Sequence, residues 1–365
     1  MSIVSTSAVI PDADMVPAIS RGILIVGNFL SGAGGTRSVA EELALRLDQR
    51  GWRVLAVSRK RNRLARLVDM TFSAWLWRKR FSVAQVDVFS GAAFLWAEAV
   101  CWTLQRARRP YVLTLHGGRL PEFALLHSRR VGRLLAAAAA VTAPSPYLLQ
   151  QMAAYRPDIV LLPNALDLRL YTFRERRPPR PRLIWLRAFH RIYNPEMAVR
   201  VLAGVRARAP EATLTMIGPD KGDGSVARVR QLADELCLSH CVHIVTGVPK
   251  SEVPRWLDEN DIFLNTPDID NTPVSVLEAM ACGLCIVSTN AGGLPYLLTD
   301  GQDALLTPCG DVKAMSAAVR RLLDNEDLAA SLSANAARTA APCDWPLVLR
   351  QWESLLERVA GQEAP

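Results

Sequence analysis

The sequence predicts an α/β protein of two domains, each a parallel sheet covered by helices. Three observations carry this. Strand-like apolar runs alternate with segments of helical period, once in each half of the chain. At 365 residues the chain is too long for one ordinary core and suits two. Between the halves, Arg174-Glu-Arg-Arg-Pro-Pro-Arg-Pro-Arg182 sets three prolines among like charges, which neither a buried helix nor a central strand tolerates. The expected organisation is a loose tail over 1–20, a first domain over 21–173 and a linker over 174–182. A second domain over 183–342 follows, and the final helix, over 343–365, packs back toward the first domain.

In chain order, residues 23–29 form a short apolar strand and 31–35 a glycine-rich loop. Residues 36–50 have helical spacing, with Val39, Leu43 and Leu47 on one face and Gly51 as the stop. Strands follow at 53–58 and 111–115, the latter ending at His116-Gly117-Gly118. The second series runs strand 183–186, helix 195–209, strand 213–217, helix 225–236, strand 242–245, helix 251–260 and strand 261–265. The last segment, 345–359, is amphipathic, with Leu349, Trp352, Leu355 and Leu356 facing inward.

Half the residues are apolar, yet no uncharged apolar run reaches the length of a membrane span. The first twenty residues lack a basic segment followed by an apolar run, so a cytoplasmic location is expected. Seven scattered cysteines suit reduced thiols, and Cys282-Gly-Leu-Cys285 has no second pair at zinc spacing; Cys237 and Cys241 fall on a predicted helix. Residues 1–180 hold 26 basic against 12 acidic side chains, whereas 181–365 hold 17 against 23. The basic first half calls for an anionic surface partner. Residues 59–80 concentrate eight basic side chains, one acid and the cluster Phe72, Trp75, Leu76 and Trp77. They read either as a helix with a solvated charged face or as a surface lying on anionic lipid at the inner face of the membrane. No nucleic-acid recognition motif accompanies the charge, and nucleic acid is not expected as a partner.

The strongest local signal is Asp268-Ile-Asp-Asn-Thr-Pro-Val-Ser-Val-Leu-Glu-Ala-Met-Ala-Cys-Gly283. Thr272 suits a helix N-cap, Pro273 the first helical position and Gly283 the stop. The open amides of Val274 and Ser275 then offer a phosphate seat. Asp270 and Glu278 place a carboxylate at each side of it, able to accept hydrogen bonds from sugar hydroxyls. The plain alternatives are an ordinary capped helix, or a metal pair at Asp268-x-Asp270. Gly32-Ala-Gly-Gly-Thr-Arg37 lacks the last glycine of a dinucleotide fingerprint, and the second strand ends without an acid to hold a ribose.

The spacing Asp270-x7-Glu278 before Ala-Met-Ala-Cys-Gly resembles the E-x7-E element of family 4 glycosyltransferases. So do Ile286-Val-Ser-Thr-Asn-Ala-Gly-Gly-Leu-Pro295, Asp300-Gly-Gln-Asp-Ala-Leu-Leu306, Pro163-Asn-Ala-Leu-Asp167, His116 and Gly34-Gly35, in the family's order. The resemblance implies the GT-B fold, two facing Rossmann-like domains with a cleft between them. It implies a retaining, metal-independent transfer from a nucleotide-sugar donor to a glycan or lipid-linked acceptor, with no cofactor. It also implies roles. Glu278 binds the ribose, Asp270 the transferred sugar, and Arg187 the diphosphate, with Pro273, Val274 and Ser275 at the helix start. His116 sits beside the donor sugar, Gly34 and Gly35 let the backbone approach it, and Gly247 and Val248 receive the base. Tyr193 stands where the family has a second diphosphate cation; His190 and Arg191 lie close by as substitutes, and Arg191 is the one expected to bind the donor. Two other functions fit the same fold, a nucleotide-sugar epimerase and a non-catalytic sugar-nucleotide-binding relative.

Overall fold

The computed structural model describes residues 21–30 and 38–361. Two six-stranded sheets, every pairing parallel, form the two domains. The first contains β1 (Gly22–Val26), β2 (Arg53–Val57), β3 (Val83–Val88), β4 (Tyr111–Leu115), β5 (Ala140–Ala143) and β6 (Val160–Leu161), in the order β2-β1-β3-β4-β5-β6. The second contains β7 (Arg182–Leu186), β8 (Thr213–Ile217), β9 (Val242–Val245), β10 (Ile262–Asn265), β11 (Cys285–Thr289) and β12 (Leu305–Thr307), in the order β12-β11-β10-β7-β8-β9. Central strands such as β1 and β4 are buried at every position, because helices cover both faces of a parallel sheet.

Strands β3, β5, β6, β11 and β12 are not among those expected from the sequence. Only Ser90-Gly91 interrupts the apolar stretch between β3 and the following helix Phe94–Arg106, and β5 emerges from an alanine run. The helix expected from 36 is described from Val39 to Gln49, capped by Ser38 with a reciprocal bond to Glu41. Residues 36 and 37, like Gly34 and Gly35, lie outside the described residues. Cys237 and Cys241 are not on a helix. Cys237 takes a left-handed φ of 55° just beyond the helix Ser225–Glu235, and Cys241 precedes β9. All seven cysteines are free thiols, and burial pushes those of Cys282 and Cys285 up to about 12, so this pair is packing rather than reactive.

The chain crosses between domains twice. After β6 it passes Leu166 toward β7, and it returns at Trp345 into the final helix, Trp345–Ala360. The two crossings bond to each other: Leu166 N–H donates to the Cys343 carbonyl at 3.0 Å, and Trp345 N–H to the Leu166 carbonyl at 3.0 Å. The final helix then inserts Val348, Leu349, Trp352, Leu355 and Leu356 into the first domain's core beside Ile23, Leu47 and Trp52.

The proline-rich stretch 174–182 is strapped to the second domain by charge. Asp261, 1% exposed at its side chain, pairs with Arg176 at 3.2 Å and Arg180 at 2.8 Å, and with Arg174 at 2.6 Å. The Arg176 side chain is fully buried. Burial opposes ionisation of Asp261, but the bonds from Arg180 and Arg174 outweigh it and hold its pKa at about 2. Asp261→Asn leaves Arg176 buried without its counter-charge, and should cost about 3–5 kcal/mol of stability in urea unfolding at neutral pH. A depressed pKa stabilises above the unfolded value of about 3.9. The wild-type advantage should therefore fade as pH falls below that value toward 2, and an equal loss at pH 2 and pH 7 would refute the assignment.

Candidate active site

Open parallel sheets bind ligands beyond the carboxyl ends of their strands, where strand order reverses. In the second domain that reversal lies between β7 and β10. Arg187 directly follows β7, and Asp270 occupies the loop after β10. The two side chains form a mostly buried ion pair. The guanidinium of Arg187 also lies over the Tyr193 ring, 4.1 Å from its centroid, a cation–π contact. Arg187 Nε is nevertheless buried without a hydrogen-bond partner.

The helix after the acidic loop begins one residue later than the sequence suggested. It spans Val274–Ala281 with Pro273 as its cap, and no side chain caps it. The Thr272 hydroxyl is buried without a partner, while the Thr272 carbonyl accepts from Asn164 at 2.9 Å. Thr272 thus contacts the first domain through its backbone. Pro273 itself has no N–H to offer a ligand. Its carbonyl accepts from Val276 and Leu277 at 3.2 and 3.4 Å. The amides of Val274 and Ser275 precede the first of these bonds, and the Ser275 hydroxyl is buried unpaired.

A cleft of about 610 Å³ opens here between the domains. Arg187, Tyr193, Gly247, Val248, Val274, Ser275 and Glu278 line it from the second domain, and Ser38, Val39 and Ala165 face them from the first. Glu278 is 5% exposed, and its Oε1 accepts from the Tyr171 hydroxyl at 2.8 Å. Burial pushes the Glu278 carboxyl up, opposed by the charge of Lys250, the Tyr171 bond and Arg187.

His116 stands at the end of β4 on the first domain. Its Nε2 lies 2.9 Å from Asp87 Oδ1, and its ring stacks on Phe89 at 4.8 Å. A carboxylate partner requires the proton on Nε2, which leaves Nδ1 as the other face of the ring. Asp87 is itself fixed by Gln85 at 2.8 Å, and Gln85 by Thr114 at 2.8 Å. The loop after His116 touches the acidic loop: a Cβ on Gly118 would meet the Asp270 carbonyl oxygen at 2.8 Å. On the other side Gly292, at φ +52°, comes so close that a Cβ would lie 2.2 Å from the same oxygen. Ser145 donates to Asn271 Oδ1 at 2.5 Å in the same buried junction. The first domain therefore holds the acidic loop directly.

Arg191, expected to substitute for the cation absent at Tyr193, does not line the cleft in this structure. The short 3-10 turn Arg191–Tyr193 rotates successive side chains by about 120°. Tyr193 enters the cleft, and Arg191 joins Asp223 and Asp268 around a separate polar hollow. The Arg191 N–H is tied to Asp223 at 2.9 Å. Asp268 faces that same hollow while Asp270 is taken by Arg187, so the two acids do not share a partner. Besides Arg187, the cations among the described residues that line the cleft are Lys221 and Lys250, neither of which was expected from the sequence. Each stands shortly after a strand end, in the loops following β8 and β9. Tyr171 and Asp87 were missed as well, since neither sits in a recognisable motif.

The family model described as glycosyl transferases group 1 matches residues 173–339, and the one described as glycosyltransferase family 4 matches residues 33–170. The chain belongs to the family 4 glycosyltransferases. Among its relatives, the amylovoran biosynthesis glycosyltransferase AmsK of Erwinia amylovora is 35% identical over 130 residues, 34% of this chain and 32% of that protein. A D-inositol 3-phosphate glycosyltransferase of Corynebacterium jeikeium is 28% identical over 173 residues, 46% of this chain and 41% of its own length. The chain thus matches under half the length of these two relatives. The fold is GT-B, shared with Anabaena HepE solved with UDP-glucose (TM-score 0.74, 18% identity, 92% of this chain and 99% of that one). Sucrose-phosphate synthase of Thermosynechococcus elongatus has it too (TM-score 0.73, 16% identity, 93% and 98%).

Within this family 4 site, Arg187 and Arg191 separate cleanly. Arg187→Ala should weaken nucleotide diphosphate binding about ten- to a hundredfold, because a charged hydrogen bond contributes roughly 1.5–3 kcal/mol. Arg191→Ala should change it by less than about twofold, a difference too small to register as a lost charged contact. Titration calorimetry distinguishes them, and comparable losses would return Arg191 to the cleft.

Proposed function

We propose that the chain is a retaining, metal-independent glycosyltransferase that moves a sugar from a nucleotide-diphosphate sugar to a glycan or lipid-linked acceptor. The observation that carries this reading is the meeting of Arg187, a free helix N-terminus and the buried Glu278 in one interdomain cleft. Glu278 receives the ribose hydroxyls, and Gly247 and Val248 receive the base. Arg187 and the first-turn amides, with Ser275, neutralise the diphosphate as it leaves. Preorganised donors of this kind are the usual stabilisers of an anionic leaving group. Asp270, held by Arg187, faces the transferred sugar, and His116 is oriented by Asp87 on the acceptor side. The acceptor attacks the face the diphosphate leaves, and a phosphate oxygen takes its proton, so no protein nucleophile is required.

The acceptor reading is supported by the outer face of the helix Arg63–Leu76. Leu64, Val68, Phe72 and Leu76 recur every four residues and are all more than half exposed, with Trp75 beside them. Trp102, 59% exposed, projects from the neighbouring helix Phe94–Arg106. Trp77 instead packs against the core, and Arg78 lies 4.4 Å from the Trp75 centroid. An apolar stripe bordered by Arg78, Lys79 and Arg80 fits an anionic bilayer surface at which a lipid-linked acceptor is met. No helix among the described residues is long and apolar enough to cross a membrane.

Incubating the protein with a panel of nucleotide sugars and lipid-linked or glycan acceptors tests the reading. Transfer with retained anomeric configuration, persisting in EDTA and lost in Glu278→Ala together with nucleotide binding, is expected. Loss in EDTA restored by manganese would overturn the metal-independent mechanism. Release of an epimerised nucleotide sugar without acceptor would make the chain an epimerase. Separately, sedimentation with anionic vesicles should fall as salt rises and fall further when Arg78, Lys79 and Arg80 are neutralised together. Unchanged binding by that variant would place the membrane contact elsewhere.

A further inference from the structure

We infer that Tyr171 is a positioning residue for the nucleotide, fixing the plane of the Glu278 carboxylate that a ribose needs. The inference rests on the assignment of Glu278 to the ribose. Tyr171 belongs to neither sheet. It lies on the crossing between the domains, one residue past the 3-10 turn Leu168–Leu170, and is 8% exposed. Its ring packs in the apolar cluster that includes Ile184, Leu277 and Ala281, and its hydroxyl reaches Glu278 Oε1 at 2.8 Å. No other hydroxyl or amide among the described residues donates to that carboxylate.

A Glu side chain has a soft terminal torsion, so a carboxylate at the floor of a cleft is free to rotate unless one oxygen is held. Tyr171 holds Oε1. Oε2 and the second lone pair of Oε1 then remain for two ribose hydroxyls, which donate to an ionised carboxylate. The ionised state is itself at risk here, because burial pushes the Glu278 carboxyl up. The groups that counter this are Lys250, the Tyr171 hydroxyl and Arg187; Cys282, one turn on, is held as a neutral thiol by its own burial. The Tyr171 hydroxyl stays protonated, since burial, and next the adjacent Glu278 charge, raise its pKa. It therefore donates to Glu278 whenever that carboxyl is ionised.

The crossing that carries Tyr171 is pinned on its other side. Asp167 pairs with Arg46 of the first domain at 3.1 Å, and Leu168 N–H donates to Asp344 at 3.2 Å. The contact that orients the ribose acid is thus delivered by the interdomain connection. The second domain alone does not supply it.

Tyr171→Phe removes the hydroxyl and keeps the ring, so packing is preserved. Affinity for UDP and GDP, measured by calorimetry from pH 5 to 8, should fall about tenfold at neutral pH. The acid limb of the profile should move to higher pH, because Glu278 protonates more readily once its donor is gone. Donor KM should rise with kcat nearly unchanged, since the ribose is remote from the reacting bond. Tyr171→Leu, which loses ring and hydroxyl, should bind no better than Tyr171→Phe. If Tyr171→Phe binds like wild type with the same pH profile while Glu278→Gln loses binding, Tyr171 is packing only and the inference fails by itself. If Tyr171→Phe matches wild type and only Tyr171→Leu weakens binding, the ring and not the hydroxyl matters, which also overturns it. If Glu278→Gln binds UDP and GDP as wild type does, the ribose assignment fails first and the inference with it.

Discussion

The pairing of the two interdomain crossings is the constraint on which the site depends. Each sheet alone offers only half a cleft at its switch point, and two half-clefts make a site only if they face each other in a fixed register. The hydrogen bonds between Leu166 and the 343–345 turn join the crossings into a single two-stranded connection. The final helix then anchors the return crossing by burying its apolar face in the first domain. A double connection resists twisting more than a single linker and leaves hinge bending as the easier motion, which suits a site completed by domain closure.

Across the cleft, polar junctions rather than a broad apolar interface hold the domains. Ser145 meets Asn271, Asn164 meets Thr272, and Tyr296 donates to Gln150 at 2.7 Å. Each is a small number of hydrogen bonds, modest in net energy because water offers the same groups equivalent partners. Contacts of this kind can open and re-form at low cost. They also concentrate on residues 270–272, so the acidic loop is shaped by both domains and its geometry reports whether they are together.

Charge is used differently in three places. Around Asp261 three arginines fix the start of the second domain, and the pair with Arg176 is dry, so its role is structural. At Arg187 the guanidinium is shared between Asp270 and the Tyr193 face, yet keeps a buried unpaired Nε beside the cleft, a feature suited to receiving an anion. On the helix Arg63–Leu76 the charges border exposed apolar residues, where salt screens them and a surface partner is required for them to matter.

The sequence by itself was enough, through local periodicity, capping residues and short spacings, to read the fold class, about half of the strands and helices, and the signature from Asp268 to Gly283. It located the final helix and its inward face, since Leu349, Trp352, Leu355 and Leu356 repeat at helical period. It did not locate β3, where only Ser90-Gly91 interrupts a long apolar stretch, or β5, which emerges from an alanine run, or β6, β11 and β12. It misplaced the cap by one residue at Thr272 and Pro273, where the backbone meets Asn164 from 108 positions away. It chose Arg191 over Lys221 and Lys250 because nearness in sequence was the only distance available. A 3-10 turn set the direction of Arg191, and strand ends 30 to 60 residues further on supplied the lysines. The partnership of Tyr171 with Glu278, and of His116 with Asp87, belongs to tertiary structure alone. Each joins residues from separate elements, and hydrogen bonding between them depends on distances that only packing fixes.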